Sequence, residues 1–325
     1  MQKLKIHSLT KTYDGQEALA SVDLDIQAGE WVGIIGESGS GKSTLLKIIG
    51  RFLDADKGEI FVDEKKLPPV SSQLLKGHEA IKLVHQEYEL FPNQSVRENI
   101  AYALRFYEPE YRNQRVNELL KLTRLEDVQH RKAKLLSGGE KQRTALAHSL
   151  AEVPGLLLLD EPFAHLDPNN KQTLADAIED LKKSHRLTCL FVTHDASEAL
   201  AWADRIVILR EGNIIQEGRP EEVYQYPINQ YAAELTGLVN ILSAENNAGQ
   251  RVIRPNFIRI IKDESKACWT AVIVKIRFKG THYEYYCRTE QGEDLLCYRS
   301  RRDREVGEKV FLTSSKKHSQ LVARH

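Results

Sequence analysis

The stretch "WVGIIGESGSGKSTLLKIIG", residues 31–50, determines how the first part of the chain folds. From Gly36 to Ser43 it has the spacing of a phosphate-binding loop, whose glycines let backbone N–H groups close around phosphate oxygens. An apolar strand precedes the loop and a helix follows it, so the helix N-terminus faces the phosphates. We therefore predict a nucleoside triphosphate site. The predicted cradle consists of Gly36, Glu37, Ser38, Gly39, Ser40, Gly41, Lys42, Ser43 and Thr44.

Two side chains of this loop have predicted chemical roles. Lys42 places a positive charge on the β- and γ-phosphates, and the Ser43 hydroxyl completes a magnesium shell. A second stretch, "LLLLDE" at residues 156–161, supplies two acids at the end of an apolar strand. If that strand lies in the same sheet, Asp160 reaches the magnesium ion and Glu161 polarises the attacking water. Alone, such a pair is more typical of a solvated strand end; the phosphate loop upstream favours catalysis.

A third stretch, "LLSGGEKQR" at residues 135–143, precedes a predicted helix and admits two interpretations. Ser137 and Glu140 have the spacing of a capping box, which stabilises a helix by roughly 1 kcal/mol. A capped helix leaves Gly138 and Gly139 unexplained, because each glycine in a helix costs about 1 kcal/mol relative to alanine. That cost is reasonable if another molecule approaches the backbone closely. The stretch therefore predicts a second anion site at a helix start.

The first part of the chain, to about residue 236, alternates short strands with helices. Near-continuous apolar strands such as "LLLLD" and "CLFVT" predict a largely parallel α/β sheet covered on both faces. Residues 87–136 lack a strand pattern and predict a helical insertion. No apolar run approaches the ~18 residues that a membrane span needs. The N-terminus lacks the apolar core of a signal peptide, so we expect a cytoplasmic chain.

The last part of the chain differs in charge and in period. Residues 240–325 hold 17 basic and 10 acidic side chains, a balance of +7, which leaves −7 on the rest. Alternation from Val272 to Phe278, a turn at "KGT" and further alternation from Tyr283 to Cys287 predict a hairpin. We expect its apolar residues to share one face within a small β-barrel.

The order of these motifs resembles that of the ATP-binding subunit of an ABC transporter, whose family signature "LSGGE" occurs here at residues 136–140. The resemblance covers roughly the first 236 residues. It implies a P-loop NTPase cassette at 1–237, with a helical subdomain at about 87–140, which binds ATP and Mg²⁺. It also implies that two cassettes pair head to tail; we expect a homodimer, and a pair of two different cassettes stays open as the alternative. Each ATP then lies between one chain's phosphate loop and the other chain's signature, which consists of Ser137, Gly138, Gly139 and Glu140.

Other family positions occur in the expected order. Tyr13, in "LTKTYDG", resembles the aromatic residue that stacks on adenine, although a buried edge-strand tyrosine is the simpler alternative. Gln86, in "LVHQEYELF", matches the glutamine that senses magnesium and the attacking water. His194, in "FVTHD", matches the switch histidine that contacts the γ-phosphate, and Asp167 matches the loop between paired chains.

The resemblance thus implies a complete set of site residues. Glu161, His194 and Gln86 would act in catalysis, and the magnesium ion would be held by Ser43, Gln86 and Asp160.

Residues 238–325 resemble the small all-β, oligonucleotide-binding-like barrel (TOBE-type) appended to many import ATPases. The resemblance implies an ATP hydrolase that powers import through a separate membrane permease, with an extracytoplasmic solute-binding protein as a further partner. Such a subunit lies on the inner face of the cell membrane. The cargo stays open among ferric iron, polyamines and oxyanions, because the region looks short for a sugar importer and "LDPNNKQ" departs from the usual basic continuation.

Two other functions remain as alternatives. A nucleic-acid-associated ABC ATPase could use the +7 barrel, above all "YRSRRDREVGEK" at residues 298–309, to meet a phosphate backbone. That segment mixes acids with bases, and the chain has neither a coiled-coil insertion nor a second cassette, so we expect no nucleic-acid partner. The other alternative is an exporter ATPase, against which the appended barrel favours import.

Overall fold

The computed structural model describes residues 2–73, 76–84, 90–164, 166–185, 187–243, 250–315 and 320–322. The chain forms two compact units, Met1–Pro220 and Glu221–His325. The second unit therefore starts earlier than the boundary at 237 that the family resemblance implies, and it includes the residues between 221 and 237.

The first unit combines ten described strands with six described helices. Its strands are β1 (Gln2–Tyr13), β2 (Gln16–Gln27), β3 (Trp31–Ile35), β4 (Lys57–Val62), β5 (Lys65–Lys66), β6 (Ile81–Val84), β7 (Leu156–Asp160), β8 (Thr188–Thr193), β9 (Arg205–Arg210) and β10 (Asn213–Gly218). Its helices are α1 (Lys42–Ile49), α2 (Val96–Ala103), α3 (Pro109–Leu122), α4 (Gly138–Leu150), α5 (Pro168–His185) and α6 (Ala196–Trp202).

A six-stranded sheet with the order β10-β9-β3-β8-β7-β6 forms the centre of this unit. Every pairing from β9 to β6 is parallel, and only the edge strand β10 runs antiparallel to its neighbour. All residues of β3 and β8 are buried. Strands buried on both faces carry continuous apolar runs, so the prediction of a covered, largely parallel sheet is confirmed.

A second, antiparallel sheet has the order β2-β1-β4-β5. The sequence pattern predicted strands at 4–8 and 22–26, but β1 and β2 each extend over 12 residues. The ends of the two strands beyond the predicted ranges are rich in polar residues, and their pairing has several register shifts. The alternation of apolar residues on which the prediction relied is therefore weak there. The extension matters because it carries Tyr13 to the end of β1.

The helical subdomain is built on α2, α3 and the start of α4. Both α2 and α4 begin with a complete capping box, formed by Ser95 with Glu98 and by Ser137 with Glu140. The buried Asn99 side chain accepts from the Phe91 N–H at 2.8 Å and fastens the chain ahead of α2. None of the helices in the described ranges is long and apolar enough to span a membrane.

The second unit is an all-β body with two short helices at its start. Its helices are α7 (Pro220–Gln225), which begins on the last residue of the first unit, and α8 (Gln230–Leu235). Its strands are β11 (Asn240–Ser243), β12 (Gln250–Ile253), β13 (Arg259–Ile261), β14 (Trp269–Phe278), β15 (Tyr283–Thr289), β16 (Asp294–Arg299), β17 (Lys309–Thr313) and β18 (Gln320–Val322). They form two sheets with the orders β11-β12-β18 and β13-β17-β14-β15-β16.

The predicted hairpin exists as β14 and β15. The inward face expected for β15 is confirmed, since Tyr285 and Cys287 lie in the core, but the face expected for β14 is wrong. Val272 and Val274 are 42% and 43% exposed, while their neighbour Ile273 is fully buried in the core. A register shift between Ile273 and Lys275 brings Ile276 back against that core. A bulge of this kind reverses which residues point inward, and the residue period alone does not reveal it.

Arg254, just after β12, fastens the helical segment at the start of the second unit to its strands. The residue is 4% exposed, and its guanidinium donates to the Ala233 and Gly237 carbonyl oxygens at 2.7 and 2.9 Å. It also donates to the Tyr224 carbonyl at 3.0 Å and lies 4.2 Å from the centroid of that ring. Burial lowers the Arg254 pKa, and the carbonyl dipoles compensate its charge in place of a carboxylate.

Arg254→Leu should destabilise the second unit by about 3 kcal/mol, because several buried carbonyl oxygens lose their donor together. Arg251→Leu, on an exposed position of β12 just before Arg254, is the matched control and should change little. The measurement is the midpoint of urea-induced unfolding. Equal midpoints for the two variants would show that the carbonyl contacts do not hold the segment.

Candidate functional site

The phosphate loop lies between the end of β3 and the start of α1. Gly41 precedes α1 with a φ of 106°, and α1 has no side-chain cap, so its first N–H groups stay available to an anion. A Cβ on Gly41 would lie 2.3 Å from the Ala18 carbonyl oxygen, and one on Gly36 would lie 2.2 Å from that of Leu209. These glycines are therefore required by the surrounding chain as well as suited to phosphate.

Lys42 is folded back into its own loop. Its Nζ donates to the Gly36 and Glu37 carbonyl oxygens at 2.7 and 2.8 Å, and the residue is only 7% exposed. Burial lowers the Lys42 pKa, while the carboxylates of Glu161, Asp160 and Glu37 act in the opposite direction. A buried cation held by carbonyl dipoles can exchange them for the oxygens of a triphosphate.

The two acids at the end of β7, Asp160 and Glu161, meet the loop and a histidine. The Ser43 hydroxyl lies 3.5 Å from Asp160 Oδ1, which joins the loop helix to the end of β7. Glu161 Oε2 lies 2.7 Å from His194 Nδ1. Because β8 lies between β3 and β7 in the sheet, the carboxyl ends of all three strands meet at one edge.

Glu161 has an unusual backbone conformation. Its φ is 52°, in the left-handed region, where residues other than glycine and asparagine are uncommon. The Glu161 N–H donates to the Val192 carbonyl oxygen at 3.0 Å, so the neighbouring strand holds this conformation in place. Such outliers cluster at functional sites, and this one directs a carboxylate to the sheet edge.

Lys42, Ser43, Glu161 and His194 line one open cleft of about 330 Å³. Tyr13 lies at its rim, 45% exposed, with the Lys11 ammonium 5.6 Å from its ring centroid. The alternative of a buried edge-strand tyrosine therefore does not apply. The described lining residues are Tyr13, Ala18, Ser38, Gly39, Gly41, Lys42, Ser43, Thr44, Glu161 and His194.

The signature residues are not part of that lining. Ser137 and Glu140 form the predicted capping box, in which the Ser137 N–H donates to Glu140 Oε2 at 2.7 Å. The start of α4 is thus an intact helix terminus within the described chain, separate from the cleft around Lys42.

The two signature glycines differ from each other. A Cβ on Gly138 would have nothing within 4 Å, whereas one on Gly139 would lie 2.8 Å from Cγ of Asn170. The contact with Asn170 therefore explains, within the chain itself, why residue 139 is a glycine. Room for a second molecule therefore remains the explanation for Gly138, whose surroundings are open.

Other predicted positions have different outcomes. Gln86 lies outside the described residues. The Asp167 carboxylate accepts from the backbone N–H groups of Asn169 and Asn170 at 3.0 and 3.1 Å and so caps α5. The sequence prediction missed Glu198, which is 5% exposed and accepts from the Thr193 hydroxyl at 2.6 Å just before His194. Its signal was an acid in the first turn of α6, after the capping Asp195.

Known proteins with the same sequence features identify the family of this chain. Residues 19–164 match the family model described as ABC transporter, and residues 252–322 match that of the TOBE domain. The putrescine transport ATP-binding protein PotG of Escherichia coli strain K12 is 39% identical over 271 residues, 81% of this chain and 71% of that protein. The chain belongs to the ABC transporter family.

A further relative and two solved structures of ABC proteins agree. The spermidine/putrescine import ATP-binding protein PotA of Thermotoga maritima is 40% identical over 248 residues, which make up 75% of this ABC chain and 66% of that relative. The cassette MJ0796, in a dimeric post-hydrolysis state bound to ADP and Pi, matches with a TM-score of 0.59 and 33% identity over 67% of this chain and 98% of that one. Clostridium perfringens cbiO1, part of the transporter complex cbiONQ, matches with a TM-score of 0.63 and 30% identity over 69% and 91%.

In this ABC chain, Gly139→Ala should destabilise the fold by about 1–3 kcal/mol, because its methyl group meets a hydrogen-bonded Asn170 side chain. Gly138→Ala should instead be neutral or stabilising by about 0.5–1 kcal/mol, because alanine favours the helix and has open space. Chemical unfolding of the two neighbouring variants, without nucleotide, measures the difference. Equal destabilisation of both would contradict the assignment of Gly139 to contact within the chain.

Proposed function

We propose that this chain is the ATP-hydrolysing subunit of a transporter and that it drives solute import through a separate membrane permease. One observation carries the proposal. Lys42, Ser43, Glu161 and His194 line one cleft, whereas the signature at the start of α4 is absent from its described lining. One chain therefore offers two halves of nucleotide sites that do not meet within it.

Pairing with a second copy would complete both halves. Each ATP would be held by the phosphate loop of one chain and by the Ser137 to Glu140 turn of the other, where the open space at Gly138 admits phosphate. The dimeric state named for the related cassette MJ0796 supports this arrangement. ATP would hold two chains together, and loss of its γ-phosphate would release them.

The cleft residues would divide the chemistry among themselves. Lys42 would bind the β- and γ-phosphates, and Glu161 would accept the proton of the attacking water while His194 holds its carboxylate. The hydroxyl of Ser43 and the carboxylate of Asp160 are hard oxygen ligands only 3.5 Å apart, which suits Mg²⁺. When bound, Mg²⁺ would neutralise charge on the transferred phosphoryl group.

A polyamine is the proposed cargo class. Two relatives named as spermidine/putrescine import and putrescine transport proteins support this choice over ferric iron or an oxyanion. Under this proposal the chain would sit on the inner face of the cell membrane, against a permease supplied with solute by an extracytoplasmic binding protein. The C-terminal TOBE match favours import over export.

A nucleic-acid function has weaker support. Within the basic segment at 298–309, Arg302 pairs with Glu305 at 2.6 Å and Arg304 with Glu308 at 2.7 Å. Arg299 likewise contacts Asp303. Local acids thus offset much of the charge that a phosphate backbone would require.

A mixing experiment tests the composite site. A Lys42→Ala chain lacks the cation that binds phosphate. A Gly138→Arg chain carries a bulky side chain in a space that is open in its own fold, but that the ATP bound to the other chain would occupy. Each alone should lose nearly all ATP turnover. Mixed in equal amounts, they should recover roughly a quarter of the wild-type rate, because half of random dimers are mixed and each has one intact site.

Phosphate release, with sedimentation to follow ATP-driven pairing, gives the readout. A mixture of Glu161→Gln with Gly138→Arg is the control. It tests whether a chain that binds ATP but cannot hydrolyse it also restores turnover when it is paired with the Gly138→Arg chain. Failure of the mixture to exceed the single variants, although mixed dimers form, would rule out a site shared between chains.

The cargo is tested with the permease that co-purifies with this chain in detergent. Reconstituted in liposomes with its solute-binding protein, the complex should raise its ATP turnover several-fold with putrescine or spermidine, but not with sulfate or ferric iron. Stimulation by another solute alone would reject a polyamine while leaving the transport ATPase intact.

A further inference from the structure

The first turns of α4 and α5 are joined by one side chain, Asn170. Its Oδ1 accepts from Arg143 Nη1 at 3.2 Å, and its Nδ2 donates to Asp167 Oδ2 at 2.5 Å. The same side chain lies against Gly139, where a Cβ would come within 2.8 Å of its Cγ. The signature turn and the loop of Asp167 therefore share a direct contact.

Arg143 gives this contact its weight. The residue is 8% exposed, and its buried Nε has no hydrogen-bond partner within the described residues. Burial lowers the Arg143 pKa, and the nearby Glu140 carboxylate only partly opposes this effect. Because the guanidinium is buried and has few partners, water could not easily replace the hydrogen bond that it donates to Asn170.

An asparagine amide is suited to the position between Arg143 and Asp167. The guanidinium can only donate and the carboxylate can only accept, so the residue between them must accept on one side and donate on the other. The partners also determine the orientation of the amide, with oxygen toward Arg143 and nitrogen toward Asp167. Leucine, of similar size, removes both bonds, and aspartate would place a second carboxylate beside Asp167.

We propose that Asn170 is a positioning residue that makes the signature turn and the Asp167 loop move as one surface toward the second chain. The inference rests on the proposed composite site, since it concerns the face that one chain presents to the other. Asn170 itself is not among the described residues that line the cleft around Lys42. Its effect on hydrolysis would be exerted through pairing.

The link is first tested in single chains without ATP. Hydrogen exchange of the peptide from Gly138 to Gln142 should quicken several-fold in Asn170→Leu, because α4 loses its tie to α5. Asn169→Leu is the matched control, on an exposed position of the same turn, and should leave this exchange unchanged. Unchanged exchange in Asn170→Leu, or equal change in both, overturns the link. Asn170→Ala replaces Asn170→Leu if the latter does not fold.

The consequence is then tested by pairing in a Glu161→Gln background. Asn170→Leu should raise the Kd of ATP-driven association about tenfold while leaving the ATP affinity of a dilute single chain unchanged. Arg143→Met should act similarly, and the double variant should be no worse than the stronger single one, because both remove one contact. Multiplying effects would assign the two residues separate roles and overturn the proposal.

The two tests separate this inference from the function it rests on. If the Glu161→Gln parent does not associate with ATP, the composite site fails, and the exchange experiment alone decides whether Asn170 joins the two turns. If the parent associates and Asn170→Leu pairs equally well, the composite site stands and the positioning role is wrong.

Discussion

The parallel alignment of β3, β8 and β7 is the constraint on which the candidate site depends. Parallel neighbours end at a common edge, so a loop after β3, an acid pair at the end of β7 and a histidine after β8 meet although they are far apart in the sequence. The distances of 3.5 Å from Ser43 to Asp160 and 2.7 Å from Glu161 to His194 follow from this edge. Shifting one strand by a single residue would separate them.

Each unit holds a buried cation by the same kind of contact. Lys42 in the first unit and Arg254 in the second are held by main-chain carbonyl oxygens, not by a carboxylate. For Arg254 the partners are the carbonyl oxygens of Tyr224 in α7, of Ala233 in α8 and of Gly237, so the contact is structural. For Lys42 the partners belong to the loop that a phosphate would enter, so the same device leaves the charge available to a ligand.

How far the sequence predicted this molecule depends on the range of the interactions. Local signals were sufficient for the phosphate loop, the capping box at Ser137 and the buried strands, because each is determined by neighbours along the chain. The bulge after Ile273 reversed an expected strand face, and the Gly139 contact with Asn170 joins residues far apart in sequence. Such packing depends on tertiary geometry that no local period contains.

The anchoring of Arg254 also determines where the chain can be divided. Cleavage at residue 237 would separate Arg254 from the carbonyl oxygens of Tyr224 and Ala233, and its guanidinium would face a gap in the protein interior. An isolated second unit that keeps its native interior must therefore retain α8 and Tyr224 of α7. In gene rearrangements that exchange such domains among ATPases, these residues would have to travel with the C-terminal strands.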